Sequence, residues 1–323
     1  MGLLMDQLGR AIAGCVPRRK PGRWLGCCAL LLGVSATAAW CAGWTNTKSA
    51  APRSYCRASS SAAVEKKGAD DVATKSTAIK SFERLEGDAA KQLCRQWLAD
   101  CHQFLGQVKT FKASFYKQER VGGRLQEAEE LVVKMRQSPL SVYMAWDYPA
   151  QGRELLWHRD QHEGKLLIHE SGWKGRMVPL LKLALDNPLV TSTSRRPVSE
   201  LGLWELAHQL KKRVGELDHP LAQLEIAPCQ LDDERQYFRV ELTHPEPVPH
   251  FEFHKIVLYI DEQWKVAVGC ECYDWPIAGQ EAPLLESYLY QNINLNSEFT
   301  DTEFDHCNPQ YQFVRSNQET TKR

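Results

Sequence analysis

With 323 residues, 40 acidic against 40 basic side chains and ordinary hydrophobic content, the chain is long enough for two small domains or one large all-β domain. The balanced charge excludes a global electrostatic footprint for nucleic acid or an anionic surface. The 10 Trp and 10 Tyr suit pleated surfaces and apolar grooves.

Arg18, Arg19, Lys20 and Arg23 precede an uncharged run, Trp24–Trp44, whose far end is rich in Ser, Thr and Ala. A basic flank, an apolar centre and a small-residue exit describe a secretory signal; at roughly 20 residues the same run also suits an uncleaved anchor. Either reading places residues 1–44 in export and the remainder outside the cytoplasm, in the periplasm or cell envelope. Residues 45–85, rich in Ser, Ala, Thr and Lys, read as a flexible tether.

A folded domain is expected over residues 86–313, with a disordered tail over 314–323. A first helix is predicted over Gly87–Lys109, where Leu93, Trp97, Leu98, Cys101, Phe104, Leu105 and Val108 recur at helical spacing. The period then switches to two. Strands are predicted from Phe111 to the Val121–Arg124 turn, around Leu131–Arg136, over Ser141–Tyr148, Arg153–His158 and Lys165–Glu170, and near Arg176–Leu181. A second helix is predicted over Val198–Val214, carrying Leu201, Trp204, Ala207 and Leu210. Strands resume over Leu221–Ala227, Gln236–Thr243, Phe253–Asp261, Lys265–Asp274 and Leu284–Asn294.

No βαβ alternation occurs, which excludes a parallel sheet. The expected fold is α+β, mainly β: a strongly curved antiparallel sheet, or unclosed β-barrel, of about ten strands, with two amphipathic helices on its concave side. One sheet face would carry Phe115, Val133, Met135, Val142, Met144, Trp146, Leu155, Trp157, Val240, Leu258, Ile260 and Val268.

Four of the 11 cysteines (Cys15, Cys27, Cys28 and Cys41) fall in the export segment, leaving an odd number. Cys94 and Cys101 stand two helical turns apart, about 10 Å along the axis, too far to bridge. Cys270 and Cys272 share a strand face roughly 6–7 Å apart, also beyond reach. They read as small hydrophobes facing the core.

Six stretches resemble a known family: Ser114–Gly123, Ser138–Trp146 and Pro149–Leu156, and toward the end Tyr273–Pro276, Glu286–Asn296 and Phe299–Asp305. The family is a bacterial one of unknown function, family 1571, found largely in planctomycetes. It is similar in pattern to the periplasmic lipoprotein carriers of the LolA/LolB type. The resemblance, over roughly residues 90–313, implies an unclosed barrel whose helices pack over a hydrophobic cavity for acyl chains. It brings no established active site.

His158, His162 and His169 cluster with Glu163 and Glu170 around one predicted hairpin, an imidazole–carboxylate set that suits zinc or iron. The spacing matches no metal motif, and solvated turn and strand-end residues account for it, so no metal site and no cofactor are expected. His306 and Cys307 are candidates for a thiol–imidazole group with Cys270 and Cys272. His250 and His254 flank a turn and make no site alone. No nucleophile elbow or phosphate loop is present, and no enzyme activity is expected.

The expected function is a cell-envelope carrier that holds a lipid, a lipoprotein acyl chain or another apolar ligand between sheet and helices. Met135, Met144, Trp146, Trp157 and Leu258 would line the cavity, with Trp97 and Trp204 on the helix side. The expected partners are the apolar ligand or a lipidated protein, and the inner membrane if the N-terminal segment is retained, but no nucleic acid. The alternatives are a tethered structural or protein-interaction module without ligand and a metal-dependent enzyme.

Overall fold

The computed structural model describes residues 83–313, except Pro179, Glu234, Val248, His250 and Ala278 and the side chains of Lys174 and Arg176. The expected export segment, nearly all of the tether, the tail and the His250 candidate lie outside these residues. Among the described residues, no helix is long and apolar enough to cross a membrane.

In chain order the elements are β1 (Leu85–Glu86), α1 (Gly87–Leu105), β2 (Thr110–Val121), β3 (Arg124–Leu125), β4 (Glu129–Arg136), β5 (Ser141–Tyr148), β6 (Glu154–His158) and β7 (Leu166–His169). Then come α2 (Gly172–Met177), β8 (Leu181–Leu183), α3 (Pro188–Thr191), α4 (Leu203–Arg213), β9 (Gln223–Cys229), β10 (Tyr237–Thr243), β11 (Lys255–Asp261), β12 (Ala267–Tyr273) and β13 (Leu284–Leu295).

All the strands join one unclosed, curved sheet in the order β1-β9-β10-β11-β12-β13-β2-β4-β5-β6-β7-β8, with β3 attached to β2. Two meanders, β2 to β8 and β9 to β13, meet where the last strand pairs with the first long one: Tyr288 faces Lys117 and Tyr290 faces Phe115. These two strands are the longest, 12 residues each, and form the spine of the sheet. The excess over ten strands comes from β1, β3 and β8, pairings of two or three residues with too little alternation to read.

Alternation sends Phe111, Ala113 and Phe115 of β2, and Leu131, Val133 and Met135 of β4, to the inner face, where they join the main core with the inward residues of α1 and α4. Each of these side chains larger than Ala113 contributes about 1.5–3 kcal/mol on burial. From α1, Ala90, Cys94, Trp97, Cys101 and Leu105 point inward at helical spacing. Gly122 and Gly123, both at positive φ (58° and 79°), make the two-residue turn that the Gly-Gly pair predicts.

Three expectations are corrected. The second helix starts at Leu203, not Val198: residues 198–200 form a 3₁₀ turn, and Gly202, at φ 105°, separates it from α4. A side chain at Gly202 would lie 2.7 Å from Met135 Cε, so the chain passes closely over β4 here. Of the segment expected as a strand near Arg176–Leu181, Arg176 and Met177 end α2, and β8 begins only at Leu181. Val268 faces outward, because the register shifts between Tyr259 and Ile260 and the extra residue turns it away from Cys270.

The outer face is also partly covered. The C-terminal segment crosses β4 to β7, burying Phe304, Tyr311 and Phe313 against Tyr143, Leu156 and Leu167. Tyr311 stacks on Tyr143 at 3.9 Å, the Gln312 N–H donates to Glu154 Oε2 at 2.7 Å, and Arg136 pairs with Asp301 at 2.6 Å.

His244, only 1% exposed, packs beside Phe251 and His219 and lies 3.7 Å from Glu216. Burial first, then the neighbouring His219 and His254, pull its pKa down to about 4. Below the ordinary histidine value near 6.5, the unfolded chain takes up a proton that the folded chain refuses until about pH 4. This group's contribution to stability therefore falls as pH drops through that window. Melting temperature measured against pH should fall less steeply between pH 6.5 and 4 in His244→Leu than in the wild type.

Candidate functional site

The inner face is not filled uniformly. Under α4, a partly open cavity of about 80 Å³ is lined by Leu206 and Leu210 of α4, by Ile256, Leu258, Cys270 and Tyr290 of β11 to β13, and by Phe253. A second hollow of about 40 Å³ shares Leu210, Arg213, Ile256 and Leu258 with it and reaches Cys94 and Leu98 of α1. A third, about 10 Å³, continues past Leu258 to Trp97 and Cys101. The three form an apolar row along one sheet half, beneath both helices. A separate cavity of about 100 Å³ lies on the other half, between Met144, Trp146, Leu155 and Ile168 and the segment that carries α3.

Cys270 and Cys272 supply small side chains where β12 passes under α4, which leaves the first cavity its depth. The Cys272 thiol is held well above its ordinary range by its hydrogen bond with Cys270 and by burial, so it is a neutral wall of the cavity.

A polar clamp separates the two halves. Glu119 of β2 and Glu286 of β13 are buried on the inner face, 2% and 3% exposed. Glu286 accepts from Arg196 at 2.7 and 3.2 Å, a forked pair, and from Arg195 at 3.1 Å. Glu119 accepts from the Arg195 backbone N–H at 3.1 Å, Ser194 Oγ at 3.3 Å and the Tyr288 hydroxyl, with Lys117 Nζ at 3.3 Å. Burial pulls the Arg196 guanidinium down, and its bonds to Glu286 more than reverse this, so it stays charged. The clamp thereby straps residues 194–196 across the sheet, and Arg196 lines both the first cavity and the separate one. Glu252 lies between Arg213 and Arg196, two residues that line the first cavity, 3.8 Å from the latter.

The seven residues expected to line one cavity are divided. Leu258 lines the whole apolar row, and Trp97 lines its far end while stacking on Phe238 at 4.9 Å. Met144 and Trp146 line the separate cavity. Met135 is fully buried beneath Gly202. Trp157 donates its indole N–H to Gly164 O at 2.9 Å, and Trp204 donates to Val108 O at 3.2 Å; both anchor turns and line none of the four cavities.

The three candidate histidines are not brought together. His158 accepts the Asp160 N–H at 3.0 Å and faces Arg136, while His169 pairs with Glu154 at the other end of the hairpin and meets Phe313. His162 instead meets His306, ring to ring at 5.0 Å. Cys270 and Cys272 lie in the inner-face core, whereas Cys307 is exposed on the C-terminal segment.

Sequence reasoning missed the clamp, although a signal was present. Lys117 and Glu119 continue the Phe111–Ala113–Phe115 alternation, and Glu286 precedes Tyr288 and Tyr290 at the same period. A carboxylate in phase with a buried apolar face demands a cation, and the adjacent arginines 195 and 196 supply it.

No curated protein matches this chain. Among solved structures it is similar to a LolA superfamily protein from Nitrosomonas europaea, with 12% identity over 66% of this chain and 97% of that one and a TM-score of 0.30. It is also similar to the lipoprotein LppX of Mycobacterium tuberculosis (12% identity, 66% and 99% covered, TM-score 0.37) and to a chain of the MucA/MucB complex of Pseudomonas aeruginosa (12% identity, 66% and 60% covered, TM-score 0.37). Overlaps this low leave the functional reading to the geometry of the chain itself. The family model described as "Protein of unknown function (DUF1571)" matches residues 108–313, the greater part of the chain, which belongs to that family.

Proposed function

We propose that this protein is a non-enzymatic binding protein of the cell envelope that holds an apolar chain between α4 and strands β11 to β13. The row of three apolar cavities beneath α4 and α1 carries this reading. On the scale where one water-sized group needs about 10–15 Å³, the first cavity takes about half a dozen such groups. Five buried methylenes contribute about 4 kcal/mol, short of the roughly 8 kcal/mol of micromolar binding. The ligand is therefore a chain long enough to continue past Leu258 toward Trp97, and α4 lifts to admit it. Lipids and acylated proteins meet that description, and an N-terminal export segment would deliver the domain to them.

The test is titration of the delipidated full chain with a fluorescent long-chain fatty acid. Saturable binding is expected, at least tenfold weaker in Cys270→Leu, whose added methylenes occupy the first cavity. That variant should also be equal to or up to about 1–2 kcal/mol more stable than wild type. Absence of saturable binding rejects the reading.

An interaction module is favoured by one separate observation. Trp173 and Met177, 63% and 71% exposed, stand one turn apart on α2. Crosslinking in envelope extracts that yields a defined protein partner in the absence of lipid would support it.

A further inference from the structure

The C-terminal segment carries a chemistry that apolar binding does not use. Asp305, His306 and Cys307 each present a donor atom, and all three atoms lie within 4.8 Å of one another. Cys307 Sγ is 3.7 Å from His306 Nε2, and Asp305 Oδ1 is 3.4 Å from His306 Nδ1. Those two contacts are to different nitrogens of one imidazole, and the ring offers only one of them to a metal; the His306 ring must therefore turn to bring Asp305 and Cys307 onto the same nitrogen, where zinc, at about 2.3 Å from sulfur and about 2.0–2.1 Å from nitrogen, spaces its tetrahedral ligand atoms about 3.5 Å apart.

A second element stands beside this group, outside its 4.8 Å set, and would join it by a swing of one ring. His162, from the turn between β6 and β7, sets its ring edge-on to His306, centroids 5.0 Å apart. His162 Nε2 and His306 Nδ1 are both shut off from solvent, and neither has a hydrogen-bond partner, although His306 Nδ1 keeps the 3.4 Å contact with the Asp305 carboxylate. Buried imidazole nitrogens nearly always have partners; a shared cation would give these two one. The backbone around the triad is already braced: Asp305 Oδ1 accepts the Cys307 N–H at 2.8 Å, and the Asn308 N–H donates to Asp305 O at 3.1 Å.

We propose that His162, Asp305, His306 and Cys307 form a four-ligand site for a borderline-soft divalent cation of the zinc class, tying the C-terminal segment to the β6–β7 turn. One thiolate, two imidazoles and one carboxylate favour zinc over the hard cations, which take oxygen ligands. All four donors come from protein, which makes the site structural: it fastens the segment that covers the outer face of β5 to β7. Binding displaces the thiol proton to solvent and changes no oxidation state.

The experiment is titration of the chelator-treated full chain with Co²⁺, followed by Zn²⁺. One equivalent of Co²⁺ should produce a thiolate-to-metal charge-transfer band and the visible bands of tetrahedral cobalt, and Zn²⁺ should abolish both. Cys307→Ser, a change at an exposed position, should lose the charge-transfer band while keeping the wild-type far-ultraviolet circular dichroism. His162→Ala should weaken binding at least tenfold. No charge-transfer band in the wild type, or an unchanged band in Cys307→Ser, would overturn the proposal; the second result would assign the metal to other cysteines. Wild-type affinity in His162→Ala would overturn the four-ligand set.

Discussion

Arg196→Ala should destabilise the fold by about 3–5 kcal/mol, the cost of leaving a buried carboxylate without its partner. For a domain of this size that corresponds to a fall in melting temperature of about 10 °C or more. Glu286 would lose both arms of its fork and keep only the Arg195 contact at 3.1 Å. The strap over residues 194–196 would loosen, and the wall between the first cavity and the separate one would go with it. Urea denaturation of the variant measures the loss. The double replacement Arg196→Met with Glu286→Leu separates the charge from the packing: removing both ions should recover most of the stability, because apolar pairs of similar volume replace buried ion pairs at little cost. If Arg196→Ala costs less than about 1 kcal/mol, the pair behaves as a solvated surface bridge and the clamp does not hold the inner face together.

Gly269→Ala should cost about 2–4 kcal/mol through overpacking. The added carbon would lie 2.8 Å from the Tyr288 carbonyl oxygen, 2.8 Å from Leu289 Cδ1 and 3.2 Å from the Tyr259 ring. The carbonyl belongs to β13, next to β12 near the spine of the sheet, and cannot rotate away as a side-chain tip can. Relief requires β12 and β13 to part, and with them the floor of the first cavity. Gly215→Ala is the matched control: nothing lies within 4 Å of the added carbon, so its effect should stay within about 0.5 kcal/mol. Chemical denaturation of the two variants in parallel distinguishes packing against β13 from a general glycine effect.

Local order was legible because the strands are local objects. Ser141–Tyr148 is visible as written, since Val142, Met144 and Trp146 alternate between turns marked by proline. The pairing of β13 with β2 was not visible: it joins residues more than 150 positions apart, and no periodicity encodes which strands meet. The outward turn of Val268 was hidden for a related reason, because a bulge depends on the partner strand. Gly202 delays the start of the second helix through its positive φ and its closeness to Met135, a tertiary constraint that the apolar stripe from Leu201 to Leu210 does not carry.

The cavity is a harder object than the fold. Alternation marks Leu258, Met144 and Trp146 as inward-facing, but it cannot tell a wall from a plug. Met135 and Trp157 have the same pattern and are consumed by packing and by a hydrogen bond to a turn. What leaves room under α4 is shortness of side chain at Cys270 and Cys272, and cysteine by itself signals only burial. The strap that divides the inner face comes from a loop between α3 and α4, far from the strands whose carboxylates it meets.

The most direct measurement is a crystal structure of the full chain grown with a long-chain alkyl carboxylate brominated near its terminal methyl. Anomalous bromine density between Leu210 and Cys270, or beyond them toward Trp97, with α4 displaced from β12, is the predicted result. Bromine found only on the exposed face of α2, or nowhere, with α4 seated on β12 as described, would contradict it.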